Sequence, residues 1–298
     1  MNVVSAFDGH CTGQLALTMQ RFKIDNYFAS EIDKSAIIIA KKNFPNTKHV
    51  GSITDIKGSQ FPKIDLYIGG SPCQSFSRGG DGSGFDGKSK LFWEYVRVLE
   101  ELRSINPSIL FFLENVVMKK EWENVITEAM GVEPISIDSK NTSAQKRQRL
   151  YWTNIPNIEQ PKDQNITLLD IVKGEREIIS DHPLVISKDE GVFKIKNATK
   201  QGYLYASEGD SVNLEVPNSK TRRGRVGKGK TNTLNTACNY GMIYGSELVK
   251  LSISDFEALQ NLPIDYTEGV SLNQRKKMIG NGWTAGVVAH IFSKIPQM

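Results

Sequence analysis

Cysteine is scarce in this chain. Cys11, Cys73 and Cys238 are the three in 298 residues, too widely separated for a disulfide framework or for the paired spacing of a zinc site. That predicts a reducing compartment, no bound metal, and a lone thiol wherever a cysteine has work to do. Long apolar runs are missing as well, and the first residues are not a charged stretch leading into an apolar one, so neither a membrane span nor a secretory signal is expected. A strong charge of one sign is also absent: 37 Lys and Arg against 33 Asp and Glu leave +4, so a polyanionic partner has to be argued from where the charge sits. No Walker lysine, His-Glu-x-x-His pair, Gly-x-Ser-x-Gly elbow or internal repeat occurs. What is present is an ordinary packed composition, 39% hydrophobic with 25 glycines and 11 prolines, which excludes disordered and fibrous folds and allows one large or two smaller domains.

The first half reads as strands alternating with helices, the pattern of an α/β sheet with crossover connections. A strand over 2–6 runs into Phe7-Asp8-Gly9-His10-Cys11-Thr12-Gly13 and a helix over 14–21. A second strand over 27–30 ends at Glu31, with Asp33 placed to cap a helix over 34–43. A short strand over 48–50 leads to a turn ending at Asp55, and a fourth over 65–69 delivers Gly70-Ser71-Pro72-Cys73 to the carboxyl edge, where open α/β sheets place ligands. After a glycine-rich loop over 78–88 come a helix over 89–103 and a strand over 109–113 that ends at Glu114 and Asn115. From about 155 to 250 the chain turns to short β-like pieces, polar turns and two basic stretches. One of these, Thr-Arg-Arg-Gly-Arg-Val-Gly-Lys-Gly-Lys over 221–230, carries Arg222, Arg223, Arg225, Lys228 and Lys230 without an acid. Helical signals return over 252–261, capped by Ser252 or Ser254, and over 281–294.

Cys73 follows Ser71-Pro72 at a strand end, a setting that suits a nucleophile, with a buried small hydrophobe as the competing reading. Glu114 closes an apolar strand, where desolvation would favour general-acid use; a surface helix cap is the alternative. Gln145-Lys146-Arg147-Gln148-Arg149 offers two guanidiniums at alternate positions that could project to one side, but taken alone it reads as a solvated basic turn. Gly9 and Gly13 do not fit the Gly-x-Gly-x-x-Gly fingerprint, yet Glu31 and Asp55 end the second and third strands where acids accept from ribose and adenine groups. A nucleoside cradle followed by a thiol and an acid describes a group-transfer enzyme.

These residues, in this order, resemble the 5-methylcytosine-forming DNA methyltransferases. Ser71-Pro72-Cys73-Gln74-Ser75-Phe76-Ser77 looks like that family's Pro-Cys loop, Glu114-Asn115-Val116 like its Glu-Asn-Val motif, and Gln145-x-Arg147-x-Arg149 like its Gln-x-Arg-x-Arg motif. The segment over 251–263 is similar to the one that follows target recognition, and Ile279-Gly280-Asn281-Gly282-Trp283 resembles the closing motif. In detail, Phe7-Asp8-Gly9, Thr12-Gly13, Ile68-Gly69-Gly70-Ser71-Pro72-Cys73 and Tyr266-Thr267 most resemble the catalytic domain of the animal de novo enzymes. His10-Cys11-Thr12 before Gly13, and Gly282 where many members carry serine, are departures.

The resemblance implies a Rossmann-like S-adenosylmethionine-dependent methyltransferase sheet with helices on both faces over 1–154 and 265–298, and an irregular β-containing target-recognition domain over 155–264. It implies Cys73 as the nucleophile that adds to a flipped cytosine, Glu114 as the group that protonates or holds the ring, and Arg149 on the base's 2-oxygen with Arg147 beside it. S-adenosyl-L-methionine, leaving as S-adenosyl-L-homocysteine, would meet Phe7, Asp8, Gly9, His10, Thr12, Glu31, Ile32, Asp55, Ile56, Leu91, Asn281 and Trp283. Ser77 and Arg78 in the glycine-rich loop, with Arg222, Arg223, Arg225, Lys228 and Lys230, would contact double-stranded DNA. A cytoplasmic or nucleoid-associated protein is expected, with no membrane or metal partner; a cognate restriction enzyme fits, and monomer and homodimer both remain open. The rivals are an RNA (tRNA) cytosine-5 methyltransferase and a catalytically silent nucleic-acid-binding relative.

Overall fold

The computed structural model describes residues 1–72 and 91–296; Cys73, Ser77 and Arg78 lie outside the described residues. The chain divides into two compact units, one of Met1–Ile137, Gln148–Gln160 and Val287–Met298, the other of Asp138–Arg147 and Pro161–Gly286.

In the first unit, β1 (Asn2–Ala6), β2 (Asn26–Ser30), β3 (Lys48–Gly51), β4 (Leu66–Gly70), β5 (Leu110–Val116), β6 (Ile135–Asp138) and β7 (Gln148–Thr153) form a sheet in the order β3-β2-β1-β4-β5-β7-β6. β1 to β5 pair in parallel and β7 runs antiparallel to β5. The order reverses between β1 and β4, so their carboxyl ends flank the switch point where such sheets bind ligands. Helices α1 (Thr12–Met19) and α2 (Lys34–Asn43) connect strands on one side of that point, α3 (Leu91–Ile105) on the other. Right-handed crossovers running in opposite directions put the two sets on opposite faces. α4 (Lys120–Met130) joins β5 to β6.

The central strands read as nearly unbroken apolar runs because both faces are covered. On one, Val4, Tyr67, Phe111, Leu113, Leu150 and Trp152 pack with Phe92, Tyr95 and Leu99 of α3 and Ile126 of α4. On the other, Phe112 meets Tyr151 and Phe292, the latter on α8 (Ala285–Phe292), at centroid separations of 5.6 and 5.3 Å. Gly69 is required by this packing: a Cβ there would lie 2.7 Å from the Tyr95 ring.

In the second unit, β8 (Val185–Asp189), β9 (Val192–Lys196) and β10 (Tyr203–Ala206) form an antiparallel sheet ordered β10-β9-β8, and β11 (Ser211–Asn213), β12 (Val226–Gly227), β13 (Tyr240–Tyr244) and β14 (Glu247–Lys250) another, ordered β12-β11-β13-β14. Leu184, Phe193, Ile195, Val212, Ile243 and Leu248 are buried together in one core. Besides the single turn α5 (Leu168–Ile171), this unit holds α6 (Ile253–Leu259), capped by Ser252 through Asp255 N–H, and α7 (Leu272–Asn281).

Three expectations are corrected. The first helix starts at Thr12, and β5 runs to Val116, so Glu114 and Asn115 lie within a strand. The helix expected over 281–294 is two: α7 ends at Asn281 and α8 starts at Ala285. The break is held by contacts from distant parts of the chain. Arg147 takes the carbonyls of Gly280 and Gly282, and Gln260 those of Ile279 and Gly282, which satisfies the orphan acceptors at a helix end.

Candidate active site

Directly after β1 the backbone takes positive φ at alternate residues, 55° at Phe7, 60° at Gly9 and 63° at Cys11. A Cβ on Gly9 would meet nothing within 4 Å, so this loop presents bare backbone to open space. It is tied to the end of β2: Asp8 N–H donates to Ser30 O at 3.1 Å and Gly9 N–H to Glu31 Oε2 at 2.8 Å. Glu31 Oε1 accepts from the backbone of Ile32 and Asp33. Next to it Ile32 stands 73% exposed, a large apolar side chain left in water at the sheet's carboxyl edge. Asp55 is exposed, Leu91 half-buried and Ile56 buried.

Three of the residues expected to meet a cofactor face inward. Asp8 accepts from Tyr27 Oη at 2.7 Å and from Cys11 Sγ at 2.8 Å, and His10 and Thr12 are buried side by side, with 3.2 Å between Oγ1 and Nε2. They shape the loop from beneath. Burial raises the Asp8 carboxyl from 3.8 to about 6 and lowers the His10 imidazole from 6.5 to about 4. The resulting slopes oppose each other. The folded state holds the Asp8 proton more tightly than the unfolded chain, so that group's contribution falls as pH rises from about 4 to 6. It holds the His10 proton less tightly, so that contribution falls as pH drops over nearly the same window. Each is worth about 3 kcal/mol. Urea unfolding of Asp8→Asn is therefore expected to expose the His10 slope, stability climbing by about 3 kcal/mol between pH 4 and 6.5, while His10→Gln shows the reverse; unchanged pH curves in both variants would contradict this.

At the other side of the switch point, Asn115, 1% exposed, donates from Nδ2 to Ser71 Oγ at 3.0 Å and to Ser71 O at 3.3 Å. This fixes the exit of β4 two residues before Cys73. The register of β5 with β7 sets Val116 against Arg149 and Glu114 against Tyr151, so Glu114 and Arg149 are diagonal neighbours on one face. Their side chains meet at 3.0 Å, Nε to Oε1, and are 13% and 12% exposed.

Arg147 has other partners. It is 3% exposed and belongs to the second unit, where Nη1 donates to Leu234 O at 3.1 Å and Nη2 to Gly280 O at 3.2 Å and Gly282 O at 2.9 Å. Sequence reasoning gave Gln260 no role, yet it is fully buried and hydrogen-bonds Gln145, Thr284 and the carbonyl of Ile279. Asn281 is exposed and Trp283 half-buried on the turn these bonds hold.

The basic segment is less free than its composition suggests. Lys230 Nζ donates to the carbonyls of Lys140, Ser143 and Ile166 at 2.8, 3.1 and 2.6 Å, and burial lowers its pKa. Lys228 pairs with Asp210 at 2.6 Å, and Arg223 Nε reaches Asn197 O at 3.3 Å. Arg222 and Arg225 are exposed. Lys230→Ala is expected to cost about 2 kcal/mol of stability in urea unfolding while the salt dependence of DNA binding stays at its wild-type slope; a slope that drops with stability intact would place Lys230 on DNA instead.

The strand order, the antiparallel pairing of β7 with β5 and the loops gathered at the switch point define a Rossmann-like methyltransferase sheet joined to a small β-containing unit. The chain belongs to the C-5 cytosine-specific DNA methylase family, whose model matches residues 1–297. It is 44% identical over 98 residues to the type II methyltransferase M1.ScrFI of Lactococcus lactis subsp. cremoris, a stretch covering 33% of this chain and 24% of that protein. With the type II methyltransferase M.NgoBI of Neisseria gonorrhoeae it shares 25% identity over 93% of this chain and 87% of the relative. The crystal structure of Spodoptera frugiperda DNMT2 superimposes with a TM-score of 0.64 over 98% of both chains at 16% identity, a likeness of fold.

Proposed function

We propose that this protein is a DNA (cytosine-5)-methyltransferase that uses S-adenosylmethionine and a transient covalent bond between Cys73 and the target cytosine. The observation that carries the reading is the Glu114–Arg149 pair, an acid and a fixed cation at the carboxyl edge beside the strand that leads to Cys73. The residues at the first three strand ends suit an adenosyl ligand. Open backbone at Gly9 admits close approach, Glu31 has carboxylate oxygens at the edge, and the exposed Ile32, with Leu91, offers an apolar surface for a purine. Family resemblance assigns Asp55 to the adenine amine and Asn281 and Trp283 to the same ligand. When bound, the cofactor supplies the electrophilic methyl group.

Carbon 5 of cytosine is a weak nucleophile. The Cys73 thiolate adds to carbon 6, and the ring's π electrons move toward nitrogen 3, where Glu114 donates a proton or hydrogen bond. Arg149 holds the 2-oxygen and keeps the acid in place. After carbon 5 is methylated, nitrogen 3 gives its proton back to Glu114, a base removes the carbon 5 proton, the electrons of that C–H bond form the carbon 5–carbon 6 double bond, and the Cys73–carbon 6 bond breaks to release the thiolate. In a duplex the base has to leave the stack first, which costs a few kcal/mol, recovered from phosphate contacts for which the exposed Arg222 and Arg225 are the candidates. The second unit, with this basic segment, is assigned to target recognition.

The test is to incubate the protein with S-adenosylmethionine and unmethylated DNA and RNA, digest to nucleosides and quantify methylated bases by mass spectrometry. New 5-methylcytosine in DNA that disappears with Cys73→Ala, while DNA binding persists, supports the reading. Methylation confined to RNA, or none at all despite DNA binding, overturns it.

A further inference from the structure

Two stretches of the second unit carry no acidic residue: 191–207, with Lys194, Lys196 and Lys200, and 216–246, with Lys220, Arg222, Arg223, Arg225, Lys228 and Lys230. The fold joins them. Asn197 Nδ2 donates to Gly224 O and Arg223 Nε to Asn197 O, and Gly224, at φ 58°, lies so close to β9 that a Cβ would fall 1.8 Å from Lys196 O. The basic segment is thereby stapled to the end of the three-stranded sheet.

The outer face of that sheet has a definite composition. Phe193 and Ile195 point into the core, so Lys194 and Lys196 point out. In the register of β9 with β10, Tyr205 stands opposite Lys194 and Tyr203 opposite Lys196. Lys194 Nζ sits 4.0 Å from the Tyr203 ring centroid, the two tyrosines pack edge to face at 5.4 Å, and Tyr205 is 54% exposed. The acids Asp189 and Glu190 sit at the β8–β9 turn, at the far end of β9 from Asn197.

We propose that this lysine–tyrosine face, running on to Arg222 and Arg225, docks the phosphodiester backbone of duplex DNA. The inference rests on the DNA reading above and adds residues to it. Lysines at alternate strand positions stand about 7 Å apart, the axial rise of about two nucleotides of one strand. Lysine ammonium groups and tyrosine hydroxyls are both phosphate donors. Such a surface adds cations to the segment, where Lys230 donates to main-chain carbonyls and Lys228 pairs with Asp210.

The experiment measures binding of a fluorescent mixed-sequence DNA duplex to the full chain between 50 and 200 mM salt, a range over which phosphate contacts weaken steeply. Lys194→Gln/Lys196→Gln is expected to reduce the slope of log K against log salt by about 2, and Tyr205→Ala to weaken binding about fivefold by removing a hydrogen bond to phosphate. S-adenosylmethionine binding should not move, and Lys194→Arg/Lys196→Arg should restore the slope. In a methylation assay the KM for DNA should rise with kcat unchanged. An unaltered slope overturns the proposal, as does a loss seen with structured RNA of equal length and absent with duplex DNA. If the wild type methylates no cytosine yet the lysine pair still lowers the slope, docking stands and the catalytic reading falls. If methylation proceeds and the slope is unmoved, the docking surface falls alone.

Discussion

Glu114→Gln is expected to lower kcat for cytosine methylation by about 10²- to 10⁴-fold, the usual contribution of a positioned acid, with the fold intact. Glutamine keeps the shape and one acceptor oxygen for Arg149, so β5 and β7 stay in register. It gives up the negative charge and the proton. Arg149→Met removes the other half and leaves a carboxylate 12% exposed without its cation, which costs stability as well as turnover, about 1–3 kcal/mol. The double variant separates the two effects. Removing both charges relieves the unpaired carboxylate, so stability is expected to return toward that of Glu114→Gln while single-turnover methyl transfer stays as low as in the worse single variant. If Glu114→Gln transferred methyl groups within a few-fold of wild type, the pair would be a strut between two strands, and the acid for nitrogen 3 would have to be sought elsewhere.

Much of this framework was legible in the sequence. Strands over 2–6 and 48–50 and the helix over 34–43 were set by local pattern and by the Asp33 cap, which accepts from Ser35 and Ala36 N–H; such signals act over a few residues and survive any tertiary context. The motif order gave Glu114 and Arg149, and the structure brings these two together. Their contact follows from a strand register, which no periodicity encodes. The break after Asn281 escaped for the same reason: the groups that stop α7, Arg147 and Gln260, lie 133 and 19 residues from the carbonyls of Gly280 and Ile279 that they hold. Charge composition misled in another way. Lys228 and Lys230 count as basic in the sequence, but a flexible stem lets an ammonium fold back onto carbonyls or a carboxylate.

Arg147 and Arg149 are two residues apart, and the family motif names them together, yet the contacts predict opposite phenotypes. Arg147→Met is expected to lower the stability of the protein by about 3–5 kcal/mol, the summed cost of leaving three main-chain carbonyls without their donor. The carbonyls of Leu234, Gly280 and Gly282 would lose a donor in a place that water does not reach. Arg147→Lys should recover less than half of this, because one ammonium cannot reproduce a planar fork that serves three acceptors. Urea unfolding reads the loss directly, and turnover per folded molecule separates it from catalysis. A positioning residue loses stability before it loses kcat. Arg149→Met should lose turnover out of proportion to its smaller stability cost of about 1–3 kcal/mol. An Arg147→Met protein that unfolds at the wild-type urea midpoint while its kcat collapses would move this residue from the scaffold to the reacting base.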